Sequence, residues 1–339
     1  MKHRHAHVSR RTFLAGVAGA VTAGTGGWPR RGDASGRELE TTRLRIPSTP
    51  GGICIAPQYV AEELLRAEGF TDVQYIKVKP YDIEDVVASG AADLGMTYGV
   101  RVVHRLDAGV PVTVVAGVHS GCNELFVTDR IRSLRDLRGK TVAIGALGGI
   151  QHQLLSIVLA HIGLDWRKDV KVEVHTSSDA IRLLGEGKVD AFFALPPEPQ
   201  ELRARKIGHV LLDNGRDRPW SQYFCCMLVA NRDFHRKHPV ATKRAMRAIL
   251  KAADMCAQDP DRVARYLVDR QFTANYDYAR ATLREVGYRA WRDLDPEEAI
   301  RFYALRMREA GFVKSAPQKL INEGTDWRIL NEQRGELKS

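Results

Sequence analysis

The chain has 339 residues, 44% of them hydrophobic and 27% charged, with 51 Lys+Arg against 41 Asp+Glu and a formal net charge of +10. Residues 1–34 hold six Lys/Arg and one Asp, so about half of that excess sits at the start and the rest of the chain has an ordinary balance. Basic clusters such as Arg203-Ala204-Arg205-Lys206 carry no interleaved aromatics; they read as solvated helix faces, which excludes nucleic acid as a partner.

In chain order, the first feature is Ser9-Arg10-Arg11-Thr12-Phe13-Leu14, preceded by Lys2 and Arg4 and followed by a Gly/Ala-rich apolar run with small residues at Ala18-Gly19-Ala20. That order is the order of a twin-arginine export signal. The run is shorter than the roughly 20 apolar residues of a bilayer span, and no Cys precedes Cys54 for lipid attachment. The expectation is a soluble periplasmic protein exported folded by the twin-arginine (Tat) machinery, with residues 1–34 as signal peptide and linker. The five cysteines, Cys54, Cys122, Cys225, Cys226 and Cys256, are few, odd in number and without CxxC spacing. Neither a disulfide scaffold nor a metal site is predicted from them. The remaining length suffices for two domains.

From residue 41 the pattern is strand, loop, amphipathic helix, strand, which marks α/β layers. Strands are predicted at 44–47, 73–78, 94–98 and 112–118, with helices at 56–67, 83–89 and 100–108 between them. The grammar restarts with strands at 124–128, 141–144, 172–175, 190–194 and 210–212 and helices at 151–162, 179–185 and 198–205. After an apolar run at 223–230, everything reads as helix: 240–257, 260–269, 276–288, 296–310 and 317–322. Asp295-Pro296-Glu297-Glu298 is a helix start with a capping residue, Pro in the first turn and acids facing the dipole. Two α/β units and a helical tail imply two lobes facing each other across a cleft, with ligands beyond the carboxyl ends of the strands.

Five segments in this order carry a family resemblance: Arg45-Ile46-Pro47-Ser48-Thr49-Pro50-Gly51; Ala91-Ala92-Asp93-Leu94-Gly95-Met96; Leu134 to Ala143, with Leu137-Arg138-Gly139-Lys140 at its turn; Glu186-Gly187-Lys188-Val189-Asp190-Ala191; and Leu228-Val229-Ala230-Asn231-Arg232-Asp233-Phe234 before His238-Pro239. Over about residues 42–270 the chain resembles the periplasmic substrate-binding proteins of ABC importers, of the nitrate, sulfonate and taurine type. The resemblance implies an α/β, type II periplasmic-binding-protein fold, each lobe a mainly parallel sheet flanked by helices. Lobe 1 would span 40–123 plus 224–339 and lobe 2 124–223. It also implies a monomer that uses no cofactor and delivers a small molecule to an ABC permease and its ATPase.

Candidate ligand-binding residues follow from the strand ends. In the first unit they are Ser48, Thr49, Gly51, Gly52 and Cys54 after the first strand, Tyr98 and Gly99 after the third, and His119 after the fourth, with Tyr81 nearby. In the second they are Leu147, Gly148, Gly149 and Gln151, whose glycines let backbone N–H groups approach an anion at a helix start, and Pro196. Tyr223 lies near the return crossing. These loops contain no Lys or Arg, Arg101 being the nearest, so a doubly charged ligand would be poorly compensated. The expected ligand is a small organic anion or a partly aromatic compound: a sulfonate, an aromatic carboxylate or a pyrimidine-like molecule. The competing class is an enzyme. The same fold family includes thiamine-pyrimidine synthases and decarboxylase-like proteins, and Cys225-Cys226 echoes the cysteine-rich stretch of those synthases. Two buried strand cysteines is the reading preferred here. No HExxH or GxSxG is present, and no catalytic residue is predicted.

Overall fold

The structure, a computed structural model, describes residues 38–49, 51–79 and 82–338. The export leader and Tyr81 therefore lie outside the described residues. Leu39–Ser339 forms one compact unit.

Ten strands are present among the described residues: β1 (Arg43–Ser48), β2 (Asp72–Lys77), β3 (Leu94–Tyr98), β4 (Val112–Ser120), β5 (Glu124–Val127), β6 (Thr141–Ile144), β7 (Lys171–Val174), β8 (Ala191–Ala194), β9 (His209–Asp213) and β10 (Phe224–Asn231). β1 and β2 pair in parallel, β3-β10-β4 form a second sheet, and β7-β6-β8-β5-β9 a third. The chain thus passes between the three-stranded and five-stranded sheets twice, at residues 121–123 and 214–223. The strands that arrive by these passages, β5 and β10, are antiparallel to their neighbours, because no crossover helix returns them to the starting edge. β6 keeps parallel partners on both sides. β4 and β10 are buried almost end to end, which is why they read as continuous apolar runs and not as alternating ones.

The recurrent Gly-x-x-Asp segments do the same job in both units. Gly90 and Gly187 turn the chain out of a helix at φ 75° and 67°, a backbone region open to glycine. Three residues later Asp93 accepts the Arg45 N–H at 2.7 Å and the Arg45 guanidinium at 2.6 Å, and Asp190 accepts the Thr141 N–H at 3.0 Å. Each carboxylate ties the incoming strand, β3 or β8, to an earlier strand of its own unit, β1 or β6.

The expected helix 56–67 breaks at Ala61 into Ala56–Val60 and Glu62–Ala67. The helix expected over 276–288 stops at Glu285, because Val286 turns extended and the buried Tyr288 hydroxyl donates to the carbonyls of Ile53 and Cys54 at 3.2 and 3.1 Å. Asp295 caps Pro296–Glu309 through the Glu297 N–H at 2.8 Å, as its sequence predicts. A last helix, Arg328–Lys338, was not foreseen: its apolar side is only Ile329 and Leu330, with Gln333 completing the buried stripe. No helix among the described residues is long and apolar enough to cross a membrane.

Candidate functional site

Where β1, β3 and β8 end, a cavity of about 470 Å³ opens between the two sheet units. One wall comes from Thr49, Gly51, Gly52, Cys54, Ile55, Ile83, Met96, Thr97 and Tyr98; the other comes from Ile150, Gln151, Ser177, Ser178, Ile181, Leu195, Pro196, Pro197, Glu198 and Glu201.

The first wall is built by a turn. Gly51 sits at φ 86°, its N–H donates to the Phe272 carbonyl at 2.9 Å, and the Gly52 N–H returns to Thr49 O at 3.2 Å. Tyr59 clamps the turn from below: its hydroxyl accepts the Thr49 N–H at 3.0 Å and donates to Thr49 O at 3.1 Å, while its ring stacks on Phe272 at 4.1 Å. The Gln58 side chain joins β1 to β3, donating to Pro47 O at 2.8 Å and accepting the Met96 N–H at 2.7 Å. Tyr98 lies with its hydroxyl 3.3 Å from Cys54 Sγ. Burial holds this phenol well above its usual range, so it keeps its proton as a donor.

The opposite wall centres on Glu198. Its carboxylate accepts the Leu195 N–H at 2.7 Å, the Gln151 amide at 3.4 Å and the Ser177 hydroxyl. Gln151 in turn accepts the Gly145 N–H at 2.5 Å. Burial pushes the Glu198 carboxyl up to about 7 from an ordinary 4.5, against the lowering effect of Ser177 and the Leu195 amide. The sign is that of a raised acid: there is no penalty where both folded and unfolded chains are protonated, and one develops as pH rises towards 7 and the fold must hold the charge. Glu198→Gln keeps the acceptor for Leu195, and Ser177 can reverse to accept. We expect it to raise unfolding free energy by about 2 kcal/mol at pH 8 and by less than about 1 kcal/mol at pH 5. Urea titrations at the two values check this, and an equal gain at both would contradict the assigned cause.

Of the sequence-predicted residues, Thr49, Gly51, Gly52, Cys54, Tyr98, Gln151 and Pro196 fall in the cavity wall. Others do not. Ser48 is buried as the last residue of β1, its carbonyl taken by the Val78 N–H. Gly99 is the close approach of a helix start to Tyr303, whose ring would meet an added Cβ at 2.8 Å. Leu147 is 66% exposed. The amides expected to receive an anion are already used, the Gly148 N–H by His152 Nδ1 at 2.8 Å and the Gly149 N–H by Ala146 O at 3.1 Å. Tyr223 stacks on Phe302 at 3.9 Å and stays out of the wall. Arg101, the nearest cation, is buried and pairs with Glu84 at 3.3 Å, reaching the Gly148 carbonyl at 3.4 Å across the units.

His119 is fully buried beneath the wall beside Tyr288. It belongs to a group that sequence spacing did not reveal: Cys54, His119, Cys122 and Cys226 offer ligand atoms that all lie within 4.8 Å of one another. Sequence reasoning missed Ile55, Ile83, Met96, Thr97, Ser177, Ser178, Ile181 and Glu201; it set Ile150 in the Gly-rich loop and Leu195, Pro197 and Glu198 at the strand end facing the cleft, without naming them as binding residues. The signal that finds Ser177 and Ser178 is the helix N-terminus after β7, capped by Thr176, since that end of each unit opens on the cleft.

The comparisons with known proteins agree with this architecture. The chain superimposes on the periplasmic nitrate-binding protein NrtA of Synechocystis PCC 6803 with a TM-score of 0.74 at 14% identity, covering 89% of this chain and 90% of that one. It superimposes on the periplasmic aliphatic sulphonate-binding protein SsuA of Escherichia coli with a TM-score of 0.68 at 19% identity, over 83% and 91%. The fold is therefore that of the periplasmic binding proteins. In sequence, the chain is 22% identical over 272 residues to the 4-amino-5-hydroxymethyl-2-methylpyrimidine phosphate synthase THI13 of Saccharomyces cerevisiae, over 70% of this chain and 77% of that protein. It is also 22% identical over 301 residues to the synthase of the same name from Candida albicans, over 81% and 78%. The family described as NMT1/THI5 like matches residues 55–263, more than half of the chain, and the protein belongs to that family.

Proposed function

We propose that this protein is the solute-binding component of an ABC-type importer, capturing a partly aromatic small molecule between two lobes and handing it to a membrane permease with its ATPase. The lobes are 40–123 with 224–339, and 124–223, joined at the two passages. The observation that carries the proposal is the cavity itself, walled from both units beyond their strand ends. Its lining also narrows the ligand. Among the described residues no Lys or Arg lines it, whereas Glu198 and Glu201 do, and its apolar side is Ile55, Ile83, Met96, Ile150 and Ile181. A planar molecule with hydrogen-bond donors at one end, such as an aminopyrimidine, fits this set better than a sulfonate, whose charge would meet carboxylates and no cation. The pyrimidine in the names of the curated relatives points the same way.

A thermal-shift screen of aminopyrimidines, aromatic carboxylates and alkanesulfonates tests this. A ligand at about 100 Kd stabilises the folded state by about 2.7 kcal/mol, and the aminopyrimidines are the class expected to do so. Because the curated relatives are named as synthases, an enzyme is the second reading, and chemical conversion of the ligand by the isolated chain would replace the first. Importer function also requires the export signal to work: Arg10-Arg11 changed to Lys-Lys should abolish export of a reporter fused to residues 1–34.

A further inference from the structure

We infer that Cys54, His119, Cys122 and Cys226 form a binding site for one zinc ion beneath the ligand cavity. The four residues come from the turn after β1, the end of β4, the first passage between the sheets, and β10. Three are buried and Cys122 is half-buried. Register shifts in the β10–β4 pairing at Phe224/Cys226 and Cys226/Met227 break the strict alternation of side chains there.

The histidine is the observation that separates a metal site from a set of buried thiols. Buried cysteines pack as small apolar groups at little cost, whereas an unsatisfied imidazole nitrogen is costly. His119 is 0% exposed and its Nε2 has no hydrogen-bond partner. Its Nδ1 lies 3.3 Å from the Ser120 carbonyl. Donation from Nδ1 to that carbonyl leaves the Nε2 lone pair directed at a ligand, the arrangement that orients metal-bound histidines.

Zinc bonds of about 2.3 Å to sulfur in a tetrahedron place neighbouring sulfurs about 3.8 Å apart. The observed group, within 4.8 Å throughout, reaches that spacing by side-chain adjustment alone. Three thiolates and one imidazole fill every position of a tetrahedral site, which makes it structural. Cys225 stands beside it, 3.0 Å from Cys122 Sγ and receiving the Asn123 amide at 3.2 Å. Cys122 also lines a separate cavity of about 240 Å³ with Glu124, Asp213 and Glu285, which gives an ion a route in. Because Cys54 and Tyr98 both line the ligand cavity, the ion would brace its floor. This inference stands whether the cavity serves transport or catalysis.

The test is metal analysis of the full chain purified without chelator, followed by exchange to cobalt(II). The expected result is about one ion per chain and the intense visible and sulfur-to-cobalt charge-transfer bands of a tetrahedral thiolate site. Affinity should fall by more than about 100-fold in Cys226→Ser and His119→Ala, and Cys256→Ser, a buried thiol outside the group, should leave it unchanged. Since the ligand variants can fail to fold, thiol titration of the unaltered chain is the second measurement. Zinc should slow modification of Cys122, and a chelator should restore it. Substoichiometric metal with freely reacting thiols, a cobalt spectrum that survives loss of Cys54, or a Cys122–Cys225 disulfide in the purified chain would each overturn the site.

Discussion

Replacing Ser178 by tryptophan is expected to weaken ligand capture by more than about 100-fold while leaving stability within about 0.5 kcal/mol of the parent. Ser178 lines the cavity from an exposed position in the first turn of Ser177–Gly185. The helix keeps its cap, because the Asp179 N–H is received by Thr176 and not by Ser178. An indole there occupies much of a 470 Å³ space and displaces nothing from the core. Binding energy in such a pocket depends on filling and desolvating it, so both should be lost together. Calorimetric titration of parent and variant with the best ligand of the thermal screen measures the effect. Unchanged affinity would place the ligand elsewhere.

Gly121→Ala should destabilise the protein by about 3 kcal/mol or more. Gly121 has φ 37°, and an added Cβ would lie 2.0 Å from Gly215 Cα and 2.4 Å from Gly215 N. The obstacle is backbone and cannot rotate away, so the two passages between the sheets would have to separate, with left-handed strain added. Gly215→Ala is the internal control. Its Cβ meets the Asp213 carboxylate at 3.1 Å and the Gly121 backbone at 3.8 Å, an ordinary van der Waals contact, and its cost should stay below about 1 kcal/mol. Urea unfolding of both variants compares them, and equal costs would mean that the passages do not depend on this contact.

Much of the fold was legible because it rests on local rules. Each predicted strand is present, since β-branched runs bounded by Gly and Pro mark strands, and Asp295-Pro296 announced its helix. The repeated Gly-x-x-Asp segments were visible as a motif, although the bond from Asp93 to Arg45 joins residues that only the sheet brings together. The cavity's first wall was legible by the same logic: Thr49, Gly51, Gly52 and Tyr98 follow strand ends. The second wall was half hidden. Gln151 and Pro196 were found, but the amides of Gly148 and Gly149 were expected to face a ligand, and only the folded loop shows them bonded to His152 and Ala146. Tyr223 was assigned to the cleft because its partner, Phe302, lies in the helical tail. The cysteine–histidine group was invisible for a similar reason. Only His119 and Cys122 are close in sequence; Cys54 and Cys226 lie 65 or more residues from them, so no paired short spacing marks a zinc motif.

The architecture also constrains how the cleft works. Arg101 reaches Gly148 across the units, Gln153 lies 3.0 Å from His104, and the Gln200 amide donates to Glu285 at 2.8 Å. Arg101, Gln153 and Gln200 are all buried, so separating the two units would have to bring water to each of these groups.

The most direct test of the account is calorimetric titration of the intact chain with an aminopyrimidine, followed by mass spectrometry of the recovered ligand. The account predicts one saturable site per chain, lost in Ser178→Trp, and a ligand released chemically unchanged. A ligand returned altered, or no binding by any pyrimidine while a sulfonate binds in the same cavity, would contradict it.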